Sequence, residues 1–189
     1  MEGTWKKLTN KVDFYASKPV NAGTDIDGSP TFVARAPLTT QMIPGKLVVR
    51  QNDQIYFYCS LDGREFPVDN RLVEFLVNDG YCWETLQRKN GEVPANAIIG
   101  GTGVSNMAHY IGRAYHDRIW IPGKIDGISR CLFIPYDYKE HRKDEYHVLV
   151  KPETEAYSRS SSGGCCKYVG RIFTGCKINI TNCAFFKIN

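Results

Sequence analysis

The chain has 189 residues, 42% hydrophobic and 23% charged, an ordinary balance for a globular protein with one sizeable core or two small ones. Its net charge of +4, from 24 basic and 20 acidic residues spread along the chain, is too mild and too mixed to imply nucleic acid. No apolar run approaches the length of a membrane helix, and the opening MEGTWKKLTN holds no secretory signal, so a cytosolic protein is expected, with export by a non-classical route left open.

The apolar runs are short. TFVARA, KLVVRQ, QIYFYC and RLVEFLV come first; AHYIGRAY, RIWIPGK, RCLFIPY and EYHVLVK follow. They are rich in Val, Ile, Tyr and Phe, several alternate, and Gly, Pro, Asn or Asp punctuates them every 8–12 residues or so. No window of about a dozen residues carries a helical period unbroken by Gly or Pro. The fold class is therefore all-β, a sandwich or two small packed sheets. Pro44-Gly45-Lys46 and Pro122-Gly123-Lys124 read as tight turns that set each Lys just after a bend. The C-terminal extension, 151–189, opens on the polar KPETEAYSRSSSGG and ends in strand-like KYVGRIF and CAFFKI, which are expected to add strands. Its YVGR (168–171) echoes the earlier YIGR and FVAR.

FVARAPLTTQMIPGKL (32–47) and YIGRAYHDRIWIPGKI (110–125) are two versions of one pattern. Shifting the chain by 78 residues aligns Trp5–Tyr58 with Trp83–Tyr136 without a gap and gives 12 identities in 54 positions. Composition alone would give about three. After Tyr58 the first copy carries five extra residues, and then LVEFLV (72–77) answers EYHVLV (145–150). The chain is thus read as a first repeat unit (1–78), a second (79–150) and the extension (151–189). NDGYCWETL, between the units, is too short and too apolar for a free linker, so the two are expected to pack about a pseudo-twofold axis as a single compact body.

Seven cysteines cannot all pair within one chain, and the spacing lacks a Cys-x-x-Cys knuckle, so free thiols are expected and no metal. Cys59, Cys82 and Cys131 are expected to be unpaired with one another. The four histidines show no ligand spacing, and there is no nucleophile elbow, P-loop or dinucleotide fingerprint, so neither catalysis nor a cofactor is expected. Arg35 and Arg113 recur inside predicted strands and read as structural, paired with Glu65 and Glu140. Trp5 and Trp83 open the units and read as core anchors.

VPANAIIGGTG, YIGRA, IPGKI, FIPY, KEH and YHVLV, in that order and spacing, resemble the DM-nine repeat family over residues 5–150. The resemblance implies a β-rich body of paired repeats. Some members of that family are mannose-recognising lectins of invertebrate innate immunity, and related domains occur in natterins joined to pore-forming modules; no pore-forming stretch is visible here. Their sugar sites use the Asp of a Gly-x-Asp loop and the Lys of the Pro-Gly-Lys segment. In the first unit these fall on Asp25 and Lys46; in the second, Gly103 stands at the Asp position while Lys124 is kept. Ser105 and Asn106 are the nearest replacements in a degenerate second site. A carboxylate accepts from neighbouring sugar hydroxyls and an ammonium donates to them, so Asp25 with Lys46 could hold a vicinal diol. The implied partners are mannose-type glycans, with avidity from a homodimer or a second site. The alternative is a protein-interaction or structural module without sugar binding.

Overall fold

In the computed structural model, which describes residues 1–52, 54–87 and 92–152, the apolar runs become strands, as their Val, Ile, Tyr and Phe content favours. The first half holds β1 (Trp5–Lys7), α1 (Lys11–Ala16), β2 (Asn21–Thr24), β3 (Pro30–Leu38), β4 (Gln41–Val49), β5 (Ile55–Leu61), β6 (Arg64–Val68) and β7 (Glu74–Leu76). The second holds β8 (Cys82–Gln87), β9 (Ile99–Thr102), β10 (Ala108–His116), β11 (Ile119–Asp126), β12 (Leu132–Tyr136), β13 (Lys139–Lys143) and β14 (Glu145–Val150). The fold is all-β. One hydrogen-bonded path runs β1-β7-β3-β4-β5-β6-β13-β12-β11-β10-β14-β8, with β2 on β3 and β9 touching both β10 and β4. No helix among the described residues is long and apolar enough to cross a membrane.

The short α1 departs from the sequence expectation. Asn10 caps it by accepting from the Asp13 amide at 2.9 Å. It is too short to show a helical period; it exists because Phe14 plugs the first core, edge-on to Phe32 and Phe75 at 4.9 and 4.8 Å.

Two of the three apolar cores belong to one half each. The first gathers Phe14, Ile43, Leu47, Phe57 and Phe75, the second Ile121, Ile125, Leu132, Ile134 and Val148. The third is shared: Val20, Ala22, Val33 and Leu76 pack with Ile98, Ile111 and Leu149. Strand pairings occupy matched positions, since Arg35 faces Pro44 as Arg113 faces Pro122, and Trp5 faces Leu76 as Trp83 faces Leu149. The hairpin tips also exchange contacts: the Gly63 amide donates to Glu140 at 2.9 Å and the Tyr138 amide to Glu65 at 2.8 Å.

Two expectations are corrected. Lys46 pairs with Tyr58, whereas Lys124 pairs with Phe133. Tyr58 therefore corresponds to Phe133 rather than Tyr136, and three of the extra residues sit between Lys46 and Tyr58, where they lengthen the β4–β5 hairpin. The Pro-Gly-Lys segments are not turns; both lie inside strands, β4 and β11. Their glycines serve close approach: a Cβ on Gly45 would collide with the Tyr58 carbonyl oxygen, and one on Gly123 with that of Phe133. The two-residue turns lie instead at Asp62-Gly63, Asp117-Arg118 and Asp137-Tyr138, all with positive φ.

Cys59, Cys82 and Cys131 are buried and no disulfide joins them. The extension's KYVGRIF and CAFFKI runs, its YVGR echo and Cys165, Cys166, Cys176 and Cys183 lie outside the described residues.

Candidate functional site

Asp25 leaves the end of β2 in a tight loop. Its amide donates to the Ser29 carbonyl at 2.8 Å, its carbonyl accepts from Gly28 at 2.9 Å, and Gly28 supplies the positive φ of 81°. The loop points the Asp25 carboxylate inward across β4, where Lys46 and, four residues on, Arg50 reach it. Lys46 Nζ lies 3.4 Å from Asp25 Oδ1, and Arg50 Nη2 lies 3.0 Å from Oδ2. Arg50 also pairs closely with Asp27. The result is an alternating charge row, Lys46–Asp25–Arg50–Asp27. The Ser29 amide and the Arg50 guanidinium hold the Asp27 carboxyl below its ordinary range.

The two residues named from the sequence are thus brought together, but as each other's partners. Asp25 is 6% exposed and Lys46 5%. The Lys46 ammonium also lies 5.5 Å from the Tyr58 ring and 5.9 Å from Tyr136, a residue of the other half. The outer end of the row, Arg50 with Asp27, lines a surface depression of about 630 Å³ together with Asn52, Gln54, Tyr56 and Tyr58. The Tyr56 and Tyr58 rings stack 6.4 Å apart. A polar ligand in the depression meets Arg50 and Asp27 first, with the Asp25–Lys46 pair beneath. Sequence reasoning missed Arg50, Asp27 and Tyr56. Period-two spacing from Lys46 through Val48 signals Arg50, just past the end of β4, and Asp-Gly-Ser at 27–29 signals the turn that presents Asp27.

The second half makes a different arrangement. Lys124 Nζ donates to the Ser60 carbonyl at 2.7 Å and pairs with Glu140 at 3.0 Å, both side chains being buried. Lys124 therefore takes its carboxylate from β13. Gly103 has an ordinary φ of −92°, but a Cβ there would lie 2.7–2.8 Å from the His109 ring, which fills the space a carboxylate would need. Ser105 and Asn106 sit on an exposed 3₁₀ turn with φ of 55° and 59°, and neither is a partner of Lys124. The predicted second site is not assembled. His109 itself is 3% exposed, touches Gln41 at 3.3 Å and Asp126 at 3.9 Å, and is pushed by burial down to about 4.

The recurring arginines do not pair with Glu65 and Glu140. Arg35 binds Glu74 at 2.8 Å over the Trp5 ring, and Arg113 lies over the Trp83 and Trp120 rings at 4.4 and 4.8 Å. Trp5 and Trp83 are half-buried platforms at the edge of the shared core rather than its anchors.

The profile of the family described as DM9 repeat matches residues 25–143. The crystal structure of the nematode sperm cell motility protein MFP2B is similar to this fold, with a TM-score of 0.59 and 14% sequence identity. The likeness covers 80% of this chain and 47% of that one, so the chain spans about half the neighbour's length. At that identity the likeness is one of fold. No curated protein matches the chain.

Proposed function

The chain belongs to the DM9 repeat family, and on that premise we propose that it is a non-enzymatic, lectin-like protein that binds mannose-type glycans at the Asp25–Lys46 cluster. The observation that carries this is the charge row itself: acceptors and donors alternate, Lys46–Asp25–Arg50–Asp27, and its outer members Arg50 and Asp27 line a depression shared with Tyr56 and Tyr58, with the buried Asp25–Lys46 pair behind them. Adjacent sugar hydroxyls each donate and accept, so they match such a row. Tyr56, 37% exposed, offers a ring face to the sugar's C–H groups. The proposal extends to two repeats related by a pseudo-twofold axis, to avidity through a homodimer, to a part in innate recognition, and to synthesis in the cytosol with non-classical export open. MFP2B is a sperm cell motility protein, which favours a rival role in protein interaction.

Calorimetric titration with mannose tests the reading. Asp25→Asn is expected to weaken binding at least about tenfold through loss of a charge-assisted acceptor. Lys124→Met, which alters the half with no assembled site, leaves the affinity unchanged. No heat with the unaltered protein, or equal loss in both variants, overturns it.

A further inference from the structure

The two halves differ sharply at their recurring arginine. In the first, Arg35 Nε and Nη2 both donate to Glu74 Oε2, at 2.9 and 2.8 Å, so the guanidinium on its Trp5 platform is neutralised. Arg35 faces Glu74 across the β3–β7 ladder; Arg113 faces His147 at the matching place across β10–β14. The carboxylate has been replaced by an imidazole. No carboxylate among the described residues pairs with Arg113. Its Nη1 donates to the Ala22 carbonyl at 2.9 Å, while Nε and the His147 Nδ1 have no partner. Burial pushes the Arg113 guanidinium down to about 10, and burial, then Arg113, lowers His147, so the neighbour adds no compensating charge. An arginine in this state is short of one anion.

Around it the second half has aromatic rings where the first has Met42 and Pro37. Trp120 lies tilted against His147, ring centroids 4.3 Å apart, and meets Tyr115 edge-on at 5.5 Å, and Tyr115 is 59% exposed. Trp120 and Tyr115 are cross-strand partners on the face that carries Arg113.

We propose that this face is a second binding site, distinct from the Asp25 cluster, for a carboxylate-bearing sugar of the uronate type. The carboxylate takes the Nε edge of Arg113, the edge Glu74 occupies on Arg35, and the sugar ring lies against Trp120 and Tyr115. An acidic peptide side chain supplies the carboxylate but no ring face for the two aromatics, so the sugar is the better fit. Entry needs the His147 ring to turn aside, and with Nδ1 unpartnered that motion breaks no bond at that atom. The choice of a sugar rests on the glycan reading above; the anion site does not use Asp25 or Lys46.

Nitrogen-15 NMR of the full chain, titrated separately with glucuronate, glucose and acetate, tests it. Glucuronate is expected to shift the Arg113 Nε–H and Trp120 indole signals, with glucose and acetate each at least about tenfold weaker. His147→Glu, which restores the first half's internal carboxylate, abolishes the response, and Tyr115→Ala, at an exposed position, weakens it several-fold should the first variant not fold. Asp25→Asn keeps the response, so failure at the mannose cluster leaves this result standing. The inference is overturned by no shift with glucuronate, by acetate binding as tightly, by a response in folded His147→Glu equal to that of the unaltered protein, or by loss of response in Asp25→Asn.

Discussion

Replacing Asp25 with Ala is expected to unsettle the fold as well as the site. The side chains of Lys46 and Asp25 are 6% and 7% exposed, so the substitution leaves an ammonium buried without its carboxylate. Breaking a buried pair from one side typically costs about 3–5 kcal/mol. Here the Tyr58 and Tyr136 rings near Lys46, and the contact Arg50 keeps with Asp27, retain part of the stabilisation. The expected loss is therefore at the lower end, about 3 kcal/mol, or roughly 6–12 °C in Tm for a chain of this size. Asp25→Ala combined with Lys46→Met removes both charges and is expected to recover most of that loss, since apolar replacement of a buried pair is often neutral. Urea denaturation of the single and double variants provides the measurement. A loss below about 1 kcal/mol for Asp25→Ala, the range of exposed pairs, would refute the claim that this pair is desolvated.

Gly45→Ala and Gly123→Ala are expected to cost more stability than typical overpacking, about 1–3 kcal/mol, because the new Cβ meets backbone that cannot swing away; unchanged urea midpoints would sink the close-approach account. Gly103→Asp is expected to destabilise without creating a second mannose site, and adding His109→Thr, the residue at the matching position Thr31, is expected to restore stability by clearing the ring, as thermal unfolding of the two variants will show. Folded His109 titrates at about 4 against 6.5 when unfolded, so between these values the unfolded chain holds more protons and stability falls as pH drops. The loss amounts to about 3 kcal/mol by pH 4 or so, and urea midpoints of His109→Gln should lack that share of the acid slope.

Short runs rich in Val, Ile, Tyr and Phe between Gly, Pro, Asn and Asp made the strands legible in the sequence, whereas alternation was a weaker guide because β4 and β11 are buried on both faces. Trp5, Arg35 and Lys46 each recur 78 residues on, so the existence of two related segments was legible as well. So were the positions of Asp25 and Lys46, through the family motif. The roles of these residues were not. Ile-Pro-Gly-Lys spells a turn locally, yet Gly45 and Gly123 are there because a neighbouring strand's carbonyl passes too close for a Cβ, and only the pairing of β4 with β5 and of β11 with β12 reveals it. Asp25 and Lys46 look like two solvent-facing ligands in sequence; the loop closed by Ser29 and Gly28 turns them onto each other. Lys124 appears equivalent to Lys46, but Glu140 and the Ser60 carbonyl reach it first. Arg35 and Arg113 share a motif, and their difference is written 39 and 34 residues away, in Glu74 and His147. Charge partners are chosen by distances of about 3–4 Å between segments remote in the chain. Local pattern carries propensity and periodicity, and those distances exist only once the strands are in register.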